Sequence, residues 1–204
     1  LVVFEPISNN MDTTLHKNYI TTAKLNLDID KIKNSCYALS NIIINEFTET
    51  DHGYEDETAK APITTKVHDQ YNLFTYNLEG FHPLYFKIQE LFRQVNTDAD
   101  EYYIQCWLNL YKQGDFINWH NHSDYGEGSW HGFYCIDCEP SKTSYRLPNV
   151  KDIVDIDSEN NLLVINKSDG DWHRTWPWEF ADRDRITIAF DIVPRESQAN
   201  LPGI

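Results

Sequence analysis

The run His120-Asn-His122-Ser-Asp124 places three metal-competent side chains within five residues. In an extended chain, residues two apart point the same way, so all three would share one face. A further histidine, His173, follows 51 residues after His122, in Gly170-Asp-Trp-His173, downstream of the apolar run Leu162-Leu-Val-Ile165. Twelve residues later comes Arg185-Ile-Thr-Ile-Ala-Phe-Asp191. There Arg185, Thr187 and Ala189 alternate with Ile186, Ile188 and Phe190, so a large cation sits on the strand face with the smaller residues. Two histidines and a carboxylate on one side of a metal, with open positions opposite, suit non-haem Fe(II) chemistry. The planar fork of an arginine matches a carboxylate bidentately, which suits a dicarboxylate co-substrate.

Taken in order, Tyr111-x-x-Gly114-Asp-Phe-x-x-x-His120-x-His122, Gly132-Phe-Tyr, His173-x-x-x-Pro177 and Arg185-Ile-Thr-Ile-x-Phe resemble the 2-oxoglutarate/Fe(II)-dependent oxygenases. The likeness is greatest to the small oxygenases of marine phages and bacteria, distantly akin to prolyl 4-hydroxylases. It runs from about Trp107 to Val193 and is weak before that. It implies a dioxygenase that hydroxylates an unactivated C–H bond with release of succinate and CO2. It implies Fe(II), 2-oxoglutarate and O2, with ascorbate as an auxiliary reductant. By position in the motifs, His120, His122 and His173 would hold the metal, and Arg185, Thr187 and Tyr111 the co-substrate. One departure matters. The usual ligand motif is His-x-Asp, whereas the best-aligned pair here is His120-x-His122, and the literal His-x-Asp is His122-Ser-Asp124. The third ligand is therefore either His120 or Asp124. The six-residue step from Gly114, where related oxygenases carry the first ligand, favours His120. Asp124 would keep the negative charge that ordinarily balances the metal.

Blander readings exist for each residue. A single histidine is usually a surface side chain, Tyr111 could be a core aromatic, and Arg183 and Arg185 could form a charge cluster. Two other functional classes also fit. With six Trp and twelve Tyr, a jelly-roll module binding carbohydrate would need neither Arg185 nor the histidines. A three-histidine iron dioxygenase acting on a thiol, for instance, would bind iron and ignore 2-oxoglutarate. The primary substrate, a small molecule or a peptidyl group, is not named by the sequence.

These residues need a scaffold, and the chain of 204 residues is long enough for a core of its own. Apolar residues make up 41% and aromatics 14%, as in a folded globule. Net charge is −15, which disfavours direct nucleic-acid binding. No apolar run reaches the ~18–20 residues of a membrane span, and Leu1-Val-Val-Phe4 is too short, with no basic flank, for a signal peptide. The expected location is the cytoplasm, of a bacterium or of a phage host, and the oligomeric state is open. Of the four cysteines, Cys135-Ile-Asp-Cys138 invites a redox or zinc reading. Residues three apart on a strand face opposite sides, however, and no second pair completes a zinc site.

Residues 1–27 read as an irregular or short-stranded lead-in. A helix is expected from Asp28 or Asp30, with Ile32, Cys36, Leu39, Ile43 and Phe47 as its stripe. A polar loop follows over Thr48 to Lys60. A second helix is expected from Pro83, burying Leu84, Ile88, Leu91, Phe92 and Val95. From Glu101 the pattern turns to short β-type runs: 103–111, 116–122, 131–138, 143–147, 152–157, 162–166, 171–176 and 185–193. The expected fold is mainly β with flanking helices: a double-stranded β-helix, or jelly roll, with two N-terminal helices buttressing one sheet. The expected organisation is a single oxygenase domain over 1–204, with a helical and irregular portion to residue 100 and the jelly-roll core over 101–193.

Overall fold

The computed structural model describes residues 11–47, 60–97, 101–122 and 127–195. The loop expected over 48–60 (all but Lys60) and the candidate ligand Asp124 lie outside the described residues. Among the described residues, nine strands and three α-helices appear in the order β1 Thr13–His16, β2 Ile20–Lys24, α1 Ile29–Glu46, α2 Ile63–Lys66, α3 Phe81–Val95, β3 Tyr102–Tyr111, β4 Trp130–Asp137, β5 Lys142–Arg146, β6 Val154–Asp157, β7 Leu162–Lys167, β8 Trp172–Thr175 and β9 Arg185–Pro194. Two single-turn 3-10 helices, His68–Gln70 and Leu73–Thr75, lie between α2 and α3.

The strands form two antiparallel sheets. The larger has the order β1-β2-β7-β4-β9-β3, the smaller β6-β5-β8. This is the expected jelly roll, with α1 and α3 on the outer face of the larger sheet. Among the described residues, no helix is long and apolar enough to cross a membrane. Along β3 and β9 the two faces divide cleanly. Cys106, Leu108, Leu110, Ile186, Ile188 and Phe190 pack with Ile32, Leu39, Leu84 and Leu91 of the helices. The alternating set Asn109, Tyr111, Arg185, Thr187 and Asp191 is buried on the other face, between the sheets. Its apolar neighbours there are Phe133, Cys135, Tyr145, Ile156 and Val164.

Helix α1 starts where Asp28 caps it, accepting a hydrogen bond from the Lys31 N–H at 3.2 Å. Helix α3 starts at Phe81, two residues before the expected Pro83. Pro83 still falls in the first turn, where its missing N–H leaves no bond unmade. The start is set by Gly80, which has φ +84°, and an added Cβ would lie 2.4 Å from Ile32 Cγ1 on α1. Only glycine allows both the left-handed turn and that approach.

Two expectations need correction, and the short-stranded lead-in takes a definite form. The run 116–122 is not a ladder strand. It lies beside β8 but makes one bridge, His120↔His173, with N–H···O distances of 3.0 and 2.9 Å. One further backbone bond runs from the Thr175 N–H to the Ile117 carbonyl at 3.0 Å, and side chains take two other donors: the Ile117 N–H donates to Thr175 Oγ1 at 2.8 Å and the Trp119 N–H to Asn118 Oδ1 at 2.8 Å. The lead-in carries a hairpin, β1-β2, whose second strand pairs with β7 and extends the larger sheet. Finally, the register of β4 against β9 slips between Cys135 and Asp137. The extra residue reverses the alternation, so Cys135 and Cys138 fall together in the core between the sheets, as buried free thiols.

The free edge of β3 is closed by side chains from the segment between α1 and α3. The Leu108 N–H donates to Tyr71 Oη at 2.9 Å, the Leu110 N–H to Thr64 Oγ1 at 3.2 Å, and Asn72 Nδ2 donates to the Ile104 carbonyl at 2.7 Å.

Candidate active site

A cavity of about 430 Å³ opens between the sheets and is lined by both groups singled out from the sequence. At one end stands Arg185. It pairs with Tyr111 across β3 and β9, and its guanidinium lies 4.6 Å from the centre of the Tyr111 ring. Its Nε donates to Ser141 Oγ at 3.0 Å. Its Nη1 is buried and has no hydrogen-bond partner. A buried charged donor left unsatisfied is costly, and sites of this kind usually accept an anion. Thr187, two residues along the same face, accepts from Asn109 Nδ2 at 3.3 Å, and Asn109 Oδ1 accepts from Thr65 Oγ1 at 2.6 Å. Burial raises the Tyr111 phenol above its ordinary range, so it stays protonated as a donor.

Further along the cavity the histidines converge. His120, His122 and His173 each offer a ligand atom, and the three atoms lie within 4.8 Å of one another. The His120↔His173 bridge brings the first and last together, with ring centres 4.2 Å apart. Each ring turns its Nδ1 away from the cluster's centre. His120 Nδ1 is 2.8 Å from the Asn118 carbonyl, His122 Nδ1 is 2.7 Å from Asp191 Oδ1, and His173 Nδ1 is 3.9 Å from Asp171 Oδ2. That leaves Nε2 of each as the nitrogen facing a shared point. Burial, first, and the neighbouring imidazoles push His120 well below its usual range, and burial lowers His173 to about 3. The lone pairs of His120 and His173 are therefore available to a metal at neutral pH.

The sequence reading missed several neighbours. His131 on β4 stacks on His122 at 4.4 Å and on His173 at 4.8 Å. Its nitrogens meet Ser168 Oγ at 2.9 Å and Asp171 Oδ2 at 3.2 Å. His131, Asp171 and His173 thus form a second cluster with ligand geometry. Asp171 also accepts from Asn166 Nδ2 at 2.9 Å, and although burial raises its carboxyl, its contacts with His131 and His173 outweigh that and hold it well below the usual range. Tyr145 pairs with His173 across β5 and β8, and its hydroxyl is buried without a partner. Asp191 was legible in principle, as the fourth member of the 185, 187, 189, 191 alternation. His131 and Tyr145 carried no spacing signal of their own.

Solved structures share this architecture. A prolyl-4-hydroxylase from Pseudomonas putida superposes with a TM-score of 0.56 at 14% identity, over 86% of this chain and 92% of that one. A prolyl hydroxylase from Trichoplax adhaerens, solved with a peptide fragment of a hypoxia-inducible factor, gives 0.64 at 15% identity, over 93% and 90%. The chain has the prolyl 4-hydroxylase fold. AviO1 from Streptomyces viridochromogenes gives 0.58 at 14% identity, over 90% and 97%. No family model matches the sequence, and no curated protein does either. Within the prolyl 4-hydroxylase fold of this chain, all three histidines expected as ligands meet at one point, and Arg185, Thr187 and Tyr111 line the same cavity.

Proposed function

We propose that this protein is a 2-oxoglutarate- and Fe(II)-dependent oxygenase, with His120, His122 and His173 as the metal ligands and Arg185 as the anchor for the co-substrate. The observation that carries this reading is the pairing, in one cavity, of a three-imidazole cluster with a buried guanidinium whose Nη1 has no partner. The donor set fits Fe(II), since neutral imidazoles suit first-row metals. The guanidinium fits the far carboxylate of 2-oxoglutarate, with Tyr111 and Thr187 as hydroxyl partners. A carbohydrate-binding role explains neither feature, and a dioxygenase that ignores 2-oxoglutarate leaves Arg185 without a task.

Bound together, iron and 2-oxoglutarate would supply O2 activation and hydroxyl transfer to a C–H bond, with succinate and CO2 as the by-products. The chain's own part is orientation and exclusion of water. Arg185, on β9, fixes one end of the co-substrate at a set distance from His173 on β8, to which the bridge with His120 ties the run that carries the other two imidazoles. Phe133 and Ala189 lie between, on the cavity wall. The part of the cavity lined by Ala61, Lys66, His68 and Asp69 is half-buried to exposed, and it is the side that would admit a substrate. A peptidyl substrate is one candidate class, in keeping with the peptide bound by the Trichoplax enzyme; a small molecule is the other. Ascorbate would serve to restore the ferrous state.

The test is an anaerobic Fe(II) titration of the purified protein with and without 2-oxoglutarate. The expected result is one iron bound per chain and a weak visible charge-transfer band that requires both components. Iron binding with no such band would remove 2-oxoglutarate from the reading.

A further inference from the structure

A set of three neutral imidazoles gives Fe(II) no negative charge, whereas a His-x-Asp set would give it one. Two buried carboxylates lie directly behind the imidazoles. Asp191 has a side chain only 1% exposed, and its Oδ1 is 2.7 Å from His122 Nδ1. The contact is close but not an aligned hydrogen bond, and neither Asp191 oxygen has a hydrogen-bond partner. Asp171 is 3% exposed, with Oδ2 3.9 Å from His173 Nδ1, and its Oδ1 is also without a partner. Among the described residues, the ion-pair contacts of both carboxylates are to imidazoles. The anchoring cation, Arg185, stands six residues from Asp191 on β9, roughly 20 Å away along an extended strand. Two buried anions with no cation beside them are costly unless a charge is placed near them. A divalent metal held by His122 and His173 supplies that charge.

We infer that Asp191 and Asp171 are positioning residues for the metal: they stand behind the Nδ1 sides of His122 and His173 and return to the site the negative charge that its ligand set lacks. This rests on the iron-binding reading above. The geometry divides the labour among the three rings. His120 is held by a neutral backbone carbonyl, at 2.8 Å, while the other two face carboxylates. The second cluster, His131 with Asp171 and His173, belongs to this support and is not a second metal centre. His131 has one nitrogen against Ser168 and the other against Asp171, so neither is open. Its ring stacks on both His122 and His173 and fixes the gap in which Asp171 sits. Outer carboxylates of this kind fix ring orientation and raise the basicity of the ligating nitrogen.

The experiment compares the full chain with Asp191→Asn and Asp171→Asn. Asparagine keeps the shape and an acceptor oxygen and removes only the charge. Metal-free protein is titrated anaerobically with Fe(II), the Fe(III)/Fe(II) midpoint is measured, and Co(II) serves as a visible-spectrum probe. The wild type should bind one metal; if it binds none, the iron reading itself fails. Each variant should bind Fe(II) roughly 10–100-fold more weakly, show a higher midpoint and give an altered Co(II) spectrum. A merely structural role would lower thermal stability and leave midpoint and spectrum unmoved. Variants that fold, bind within threefold of wild type and keep its midpoint overturn the inference, as does a stoichiometry of two metals. Should neither variant fold, the wild type loaded with Zn(II) gives a second reading. Proton NMR should show two far-downfield imidazole N–H signals that exchange slowly with water, from His122 and His173. Their absence overturns the proposal.

Discussion

Replacing Arg185 with Met separates co-substrate binding from folding. Methionine keeps much of the volume, packs acceptably on the Tyr111 ring, and removes the charge. In the ligand-free protein little is lost. Nη1 makes no hydrogen bond; the Nε bond to Ser141 and the guanidinium's contacts with Tyr111 are given up. Removing a desolvated, unpaired cation is neutral to stabilising, so the ligand-free Tm of Arg185→Met should equal or exceed that of wild type. Binding is another matter. Taking the charged donor from a buried carboxylate costs about 2–4 kcal/mol, which is roughly 30- to 800-fold in Kd. With Zn(II) as an inert metal and 2-oxoglutarate at about 100 times its Kd, the wild type gains about 2.7 kcal/mol. For a chain of this size that raises Tm by roughly 5–10 °C. At the same concentration the variant gains under about 0.9 kcal/mol, a shift of at most ~3 °C. Thermal scans with and without 2-oxoglutarate read both halves. A variant that keeps the full wild-type shift refutes the placement of the co-substrate on Arg185.

Other expectations follow from the same geometry. His120→Ala should abolish iron binding at micromolar metal, as read by metal analysis, whereas Asp124→Ala should leave it largely intact. In Gly132→Ala the new Cβ would meet the Val164 carbonyl oxygen at 2.1 Å and Phe190 Cζ at 2.5 Å; overpacking of this kind costs about 3 kcal/mol, and an unchanged denaturation midpoint would contradict it. Metal-free protein should lose stability in acid. The folded-state value of His173, lowered to about 3, lies below its unfolded value near 6.5, so its contribution is full above pH ~6.5 and declines as pH falls towards 3, by on the order of 3 kcal/mol at pH 4; urea midpoints that stay flat from pH 7 to 4 would speak against it. Iron-loaded protein given 2-oxoglutarate and ascorbate but no substrate should form succinate slowly, and an assay finding none with any of a broad substrate panel would favour a binding role.

The parts of the fold that depend on burial were legible, and those that depend on side-chain-to-backbone bonds were not. The stripe Ile32, Cys36, Leu39, Ile43 announced α1 because burial follows the helical repeat. The strand from Arg185 showed its two faces because one, Ile186, Ile188 and Phe190, was purely apolar. The hairpin β1-β2 was not read as a unit because its turn is Lys17-Asn18. Both residues have φ of +51° and +61°, the conformation usually announced by Asn-Gly. Run 116–122 misled because Asn118 and Thr175 take the bonds that a strand partner would make, which no alternation of hydropathy reveals. For the site, histidine spacing found the cluster and the Arg185 face found the anion end. Asp171 was passed over because a carboxylate behind an imidazole leaves no pattern along the chain, and Asp191, although it shares the face of Arg185, because nothing along the chain pairs it with His122. Their contacts with the imidazoles become visible only once β4, β8 and β9 are assembled.

The side chains that close the edge of β3 bear on self-association. A ten-residue strand at the end of a sheet is a template for strands of other molecules. Here Thr64, Tyr71 and Asn72 already occupy the N–H of Leu108 and Leu110 and the carbonyl of Ile104. The opposite edge, β1, is only four residues long. Growth by strand addition is thereby blocked at one end of the larger sheet and restricted to a short register at the other. A flexible peptide reaching the cavity would accordingly be recognised by side chains at its mouth rather than by joining the sheet.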